Sequence, residues 1–463
     1  MVLSLIRAAD TRGALLAVLA TALVLRLGVF WLNSPFPPPS KDAAVYEALA
    51  TNLIEGNGFS GDTAPPFEPL FFRTPGYPAF VGLIHVIAGR SLNAVRIVQI
   101  GLSLVTCLLT YAVGRRLLGH RLGAAAAAVY AILPPAVSAP SWILTEANQA
   151  LLLTLAVYSA CRIVDAPRDT PWYLALGTTL GYASLCRPDH QYLLLFLLGG
   201  LALIVPGVRA NWRGPLVATT CVVVVVTPWM VRNYLLLGRH VGLSTGAGHV
   251  AMAATIEAEG KRGQALYDAL EARYGEAFRR THGRPMTYID GALPDQDEIR
   301  KRDFIDFVGS QPLRYARHVA SRVYWLWLPR SWSDAVGIDS DFSELLAARR
   351  RDALGVKLGL LAIDALVIGL AGLGFLFALL EFRRFGPIVV TIAYGTVVYG
   401  LVAAYARYRV PFLPLVAVLA VLGAAKTYDL VNVRLGLRTV PIRTCYWHGR
   451  ATNDAARSRP HVS

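Results

Sequence analysis

The sequence predicts an all-α polytopic membrane protein, and three observations carry that prediction. Of its 463 residues, 55% are hydrophobic and only 16% are charged, whereas a soluble chain carries about a quarter charged residues. Its mean hydropathy is +0.46. The apolar residues gather in runs close to the roughly 20 that a helix needs to cross a bilayer.

Ten runs read as crossings: 13–32, 94–114, 122–139, 145–164, 172–186, 191–206, 215–236, 354–380, 387–405 and 409–426. The first is long and has no small-residue cleavage site before Pro35, so it reads as a helix and not as a signal peptide. The run 77–89, "YPAFVGLIHVIAG", has the length of an interfacial segment. Arginines decide its placement. If 77–89 stays on one side, the connections 115–121, 162–169, 207–214 and 381–386 share a face, and their arginines mark it as the inner one. If 77–89 crossed, the basic "GRRLLGHR" would face outside.

Four regions follow. Residues 1–236 form a membrane module with a first outer loop at 33–93, and 237–353 is an extracytoplasmic helical segment. Residues 354–426 hold the last crossings, and 427–463 is a basic cytoplasmic tail. In 237–353, Leu266, Leu270, Tyr274 and Phe278 recur at helical spacing, and "VYWLWLP" suits a membrane interface. The chain is expected in the plasma (inner) membrane, with any chemistry on the outer face.

The net charge of +15, from 45 Lys and Arg against 30 Asp and Glu, comes largely from arginines in loops, which argues against a nucleic-acid partner. The five cysteines are scattered without metal spacing; Cys107, Cys161, Cys186 and Cys221 read as core thiols. No Gly-rich phosphate loop, dinucleotide fingerprint or HExxH motif occurs. His190 and His249 have no ligand partner four residues on, so no metal site is assigned.

Two acids and a set of arginines could do chemistry. Asp42 opens an apolar-striped surface helix over 42–55, just after a stiff Pro-rich link. Helix capping is the competing account, with Ser40 as a rival cap. Glu146 sits between two crossings on the same face, where either function or the helix dipole accounts for it. Arg73, Arg187, Arg232, Arg407 and Arg409 fall on the outer side, where the positive-inside rule gives no reason for them. Guanidinium forks grip phosphate; snorkelling toward headgroups is the bland alternative for each.

The ordered series "KDAAVYEALATNLIEGNGFS", "RTPGYPAF", "SWILTEANQALLL", "LCRPDHQYLL", "TPWMVRNY", "LSTGAGHVAM" and "YRVPFLPLVAVLA" resembles the GT-C-fold membrane glycosyltransferases. The likeness runs from about residue 13 to 426, nearest the bacterial relatives of protein O-mannosyltransferases and of the lipid A aminoarabinose transferase. It implies a polyprenyl-phosphate sugar donor used on the outer face, with Asp42 and Glu146 catalytic and Arg73 on donor phosphate, assisted by Arg187 or Arg407. Asp42 would take the proton of an acceptor hydroxyl as it attacks the anomeric carbon, an inverting transfer. The acceptor could be a lipid, a glycan or a protein. Relatives often carry a further acid where Ala43 or Phe72 stands here, so a second acid or a divalent metal stays an open point.

Two rivals are a transporter or flippase of lipid-linked sugars and a structural membrane partner without chemistry. The first expects polar residues along the crossings, and the second leaves Asp42 and Glu146 as replaceable caps. Convergence of Asp42, Glu146 and Arg73 on one outward-open cavity separates catalysis from both.

Overall fold

The computed structural model describes residues 11–39, 42–287, 289–338 and 340–434. The tail beyond 434, with Cys445, and the rival cap Ser40 lie outside the described residues. The apolar runs become helices: α1 (Thr11–Leu32), α4 (Leu92–Leu118), α5 (His120–Ile132), α6 (Glu146–Asp165), α7 (Thr170–Cys186), α8 (Leu193–Ile204), α9 (Arg213–Leu237), α14 (Arg351–Leu380), α15 (Phe382–Leu401) and α16 (Leu413–Arg434). Between α1 and α4 lie the shorter α2 (Asp42–Glu55) and α3 (Gly76–Ala88). Between α9 and α14 lie α10 (Ala247–Ala258), α11 (Gln264–His282), α12 (Pro294–Ser310) and α13 (Pro312–Trp327). No strand occurs among the described residues.

Seven of these helices are long and apolar enough to cross a membrane, or eight if a bent pair counts as one span. The bent pair is α5 with the turns at 134–141, which meet at 68°. Its cause is local: Pro134 and Pro135 lack the amide hydrogens that would continue the ladder. Two further expected crossings are short, α7 at 17 residues and α8 at 12. The 3-10 turn Pro188–His190 interrupts the chain between them.

Two helices run through the centre of the bundle. Their most apolar windows are 78% buried for the stretch ending in α16 and 72% for α6, against 22% for α1 and 17% for α9. The neighbouring α14 is positioned against α16 by shape. At Gly374 of α14 a Cβ would lie 1.9 Å from the Leu419 carbonyl oxygen of α16, and at Gly423 one would lie 2.1 Å from that of Leu370. The two backbones cross almost in contact, the small-residue packing that membrane helices use where apolar burial gives no drive. Peripheral helices turn Leu16, Val24, Leu203 and Leu380 outward, as a lipid-facing surface does.

The helix α3 spans 13 residues and lies against α2 through a small core of Tyr46, Ala50, Tyr77, Val81 and Ile84. Arg96 then ties this layer to the link after α1. Its guanidinium lies 3.7 Å from the Phe36 ring centroid and donates to the Ser141 carbonyl at 3.0 Å. Asp42 is thereby held at the head of α2, near the start of α6.

Candidate active site

Asp42 is the first residue of α2. Its Oδ1 accepts from Arg73 Nη2 at 2.5 Å, and its Oδ2 accepts from Arg407 Nη2 at 2.7 Å. Both carboxylate oxygens are thus engaged by guanidiniums from remote parts of the chain. Burial by itself would lift the Asp42 carboxyl, but Arg73 and Arg407 outweigh it and hold the group below its ordinary value of 3.8. Attraction from two close cations favours the charged form.

Glu146 is the first residue of α6, where the helix dipole favours a carboxylate. It is only 2% exposed. Its Oε1 lies 3.6 Å from Arg187 Nη1 and 3.9 Å from Arg407 Nε, while its Oε2 is buried without a hydrogen-bond partner. Arg407 therefore bridges the two acids. The five residues singled out from the sequence for the site, Asp42, Glu146, Arg73, Arg187 and Arg407, come together in one cluster.

Aromatic rings fix the arginine planes. Arg73 stacks 4.4 Å from the Phe72 ring centroid and 5.3 Å from that of Tyr46. Arg187 lies 4.7 Å from the Tyr408 ring. Phe72 thus serves as a platform for Arg73. The platform depends on Gly246, whose φ of +95° suits glycine and whose Cβ would fall 2.3 Å from the Phe72 ring. Beside it the Thr245 amide donates to the Phe71 carbonyl at 2.9 Å. The segment after α9 is in this way built into the support of Arg73.

Asp189 is the site residue that sequence reasoning missed. It accepts from Arg187 Nη2 at 3.0 Å and from Arg187 Nε at 3.2 Å, and its backbone carbonyl accepts from the Tyr394 hydroxyl at 2.6 Å. Burial raises the Asp189 carboxyl, but Arg187 and His190 pull it down to about 2. A signal was present: in "RPDH" a proline turn brings an acid back onto an arginine two positions earlier.

Two of the arginines singled out from the sequence do not join the cluster. Arg409 is fully buried and forms an ion pair with Asp364 in the middle of α14; it also donates to the Leu328 carbonyl at 2.9 Å. Arg232 packs among Trp229, Phe71 and Phe59 and donates to the Leu70 carbonyl at 3.1 Å, which braces the first loop. Each has a structural post.

Among the described residues no group of three or more His, Cys, Asp or Glu is arranged to hold a metal ion. Asp42 gives both carboxylate oxygens to guanidiniums, and Glu146 gives its Oε1. The described carboxylates at the site are engaged by arginines, and no metal is assigned to them.

Comparison with known proteins agrees with this architecture. Residues 72–231 match the family model for dolichyl-phosphate-mannose-protein mannosyltransferases, and no curated protein matches the chain. The oligosaccharyltransferase AglB of Archaeoglobus fulgidus, solved with an inhibitory peptide and a dolichol-phosphate, is similar at TM-score 0.50 and 15% identity over 97% of this chain and 52% of its own. The oligosaccharyltransferase of that organism in complex with Zn and sulfate is similar at TM-score 0.50 and 13% identity, over 91% and 50%. ArnT from Cupriavidus metallidurans bound to undecaprenyl phosphate aligns at TM-score 0.42 and 13% identity, over 94% and 82%. The chain spans about half the length of the archaeal proteins. It has the GT-C fold of membrane glycosyltransferases, and residues 72–231 carry the match to the mannosyltransferase family.

Proposed function

We propose that the chain is a membrane glycosyltransferase that moves a sugar from a polyprenyl-phosphate donor to an acceptor hydroxyl of a lipid, glycan or protein. The observation that carries this reading is the meeting of Asp42 and Glu146 with Arg73, Arg187 and Arg407 at the ends of the central helices. A lipid-linked donor holds its sugar and phosphate at headgroup level, so the reacting groups belong at helix ends. No nucleotide motif is needed.

The chemistry is a single displacement. The acceptor oxygen attacks the anomeric carbon while its proton passes to the Asp42 carboxylate. The bond from that carbon to the phosphate oxygen breaks, and the electron pair leaves on the phosphate. Arg73, Arg187 and Arg407 stabilise the charge developing there, in a site partly withdrawn from water. One displacement inverts the sugar. Glu146 orients Arg187 and Arg407, and its second oxygen accepts a substrate hydroxyl.

The reaction is assigned to the outer face of the plasma (inner) membrane, with 33–93 and 237–353 outside and the latter shaping acceptor choice. Cysteines introduced at Thr63 and Arg90, exposed positions flanking α3, should both react with a membrane-impermeant thiol reagent added outside. Labelling of position 90 from the cytoplasm alone would reverse this topology. The reaction itself is tested by incubating the purified full-length protein with a panel of polyprenyl-phosphate sugars. Release of free polyprenyl phosphate with transfer of one sugar is expected, and a panel without any turnover would count against the reading.

A further inference from the structure

Resting on the transfer reading above, we propose that the donor phosphate and Asp42 compete for the same two arginines, so that donor binding takes Arg73 and Arg407 from Asp42 and frees it to act as the base. The cluster holds three guanidiniums, Arg73, Arg187 and Arg407, against three carboxylates, Asp42, Glu146 and Asp189. It is neutral before a substrate arrives, and every arginine is paired. A phosphodiester brings one more negative charge into a half-buried place, where an anion without partners is costly. The guanidiniums that can meet it are ones a resident carboxylate now holds.

Geometry selects which ones. The Arg187 side chain is 14% exposed and is held by Asp189 and Glu146 together. The side chains of Arg73 and Arg407 are 22% and 36% exposed, and each gives one nitrogen to Asp42. Arg73 also has a buried Nε with no protein hydrogen-bond partner. That donor comes within reach of a phosphate oxygen only as the Arg73 fork turns away from Asp42. Exchange then needs the Arg73 fork to rotate on its Phe72 platform and the more exposed Arg407 to turn with it, without refolding.

The exchange also resolves a conflict in the resting site. A carboxylate gripped by two guanidiniums is a poor proton acceptor, and a general base works best with its proton affinity near the working pH. Once the arginines have moved to phosphate, burial is left to act on Asp42 and raises its affinity for the proton. Charge balances through the step. The acceptor proton neutralises Asp42 as the breaking bond places a second negative charge on the phosphate, where the arginines already are.

The test is binding of undecaprenyl phosphate to the full-length protein in detergent. Folded Asp42→Asn is expected to bind it about tenfold more tightly than the unaltered protein, because a charged competitor for two guanidiniums is gone. Equal or weaker binding overturns the proposal. A second measurement uses the unaltered protein with a short-chain polyprenyl methyl phosphodiester, whose single charge does not titrate near neutrality. Its affinity should rise as the pH is lowered from about 7 toward about 4, because binding removes the arginines that hold the Asp42 carboxyl below 3.8 and so draws a proton onto it; a flat profile overturns the proposal. Glu146 and Asp189 face the same arginines, with Tyr46 and Tyr408 beside them, so the profile is repeated with Asp42→Asn. A slope that persists there assigns the competition to those acids and overturns the role of Asp42. Failure of the unaltered protein to bind either lipid would remove the transfer reading with it, whereas binding and turnover without these shifts would remove the exchange alone.

Discussion

Asp42→Asn is expected to lower sugar transfer about 100- to 10,000-fold, the usual contribution of a positioned proton acceptor, while the protein stays folded. Asparagine keeps the size of the side chain and caps a helix about as well as aspartate, so a residue that served only as a cap would tolerate the change. The loss should fall on the chemical step and not on donor affinity, because the arginines that hold phosphate remain. Single-turnover transfer measured beside lipid-phosphate binding separates the two. Near-normal transfer would take Asp42 out of the mechanism and leave Glu146 as the better base. Stability should respond in the opposite pH direction to a basic group. The Asp42 carboxyl is held below 3.8, so its ion pairs stabilise the fold above that pH and the contribution is lost as pH falls through the lower folded value. At neutral pH the Asn variant lacks that contribution and should unfold at a slightly lower temperature.

Arg407 and Arg409 should give opposite phenotypes although they are two residues apart. Arg409→Gln is expected to destabilise the fold by about 3–5 kcal/mol, because it strands Asp364 as an unpaired charge in the interior. Both side chains of that pair are 0% exposed, and Asp364 also accepts the Arg330 backbone amide at 2.8 Å. Thermal unfolding in detergent reads the effect. Replacing both partners by apolar residues, Arg409→Met with Asp364→Leu, should recover much of the loss, since a buried pair often contributes little beyond an apolar substitute of similar volume. Arg407→Gln should leave the unfolding temperature nearly unchanged and lower transfer roughly 100-fold or more, as expected when a group that stabilises developing charge is removed. An Arg409→Gln protein as stable as its parent, or an Arg407→Gln protein that unfolds early with normal turnover, would reverse these assignments.

Much of this molecule is legible along the chain. Apolar runs of membrane length became helices because a backbone in lipid has to satisfy its own hydrogen bonds. The acids at Asp42 and Glu146 open helices, as the local patterns at 42–55 and 145–164 lead one to expect. The break at Pro134 and Pro135 could be read from two residues that cannot donate. These are local effects, decided by a residue and its near neighbours.

Which arginine meets which acid was decided only by the tertiary structure. Arg407 reaches Asp42 across 365 positions, a pairing that no periodicity encodes. Arg407 and Arg409 lie in one 3-10 turn over Ala406–Phe412, where each residue advances about 120° around the axis. Two positions on, the side chain points elsewhere, and the packing of α14 decides that it finds Asp364. Phe72 likewise becomes a platform for Arg73 only because Gly246, remote in sequence, leaves room for its ring. Local chemistry placed the charges along the chain, and close packing of helices whose backbones touch at Gly374 and Gly423 decided which of them face one another.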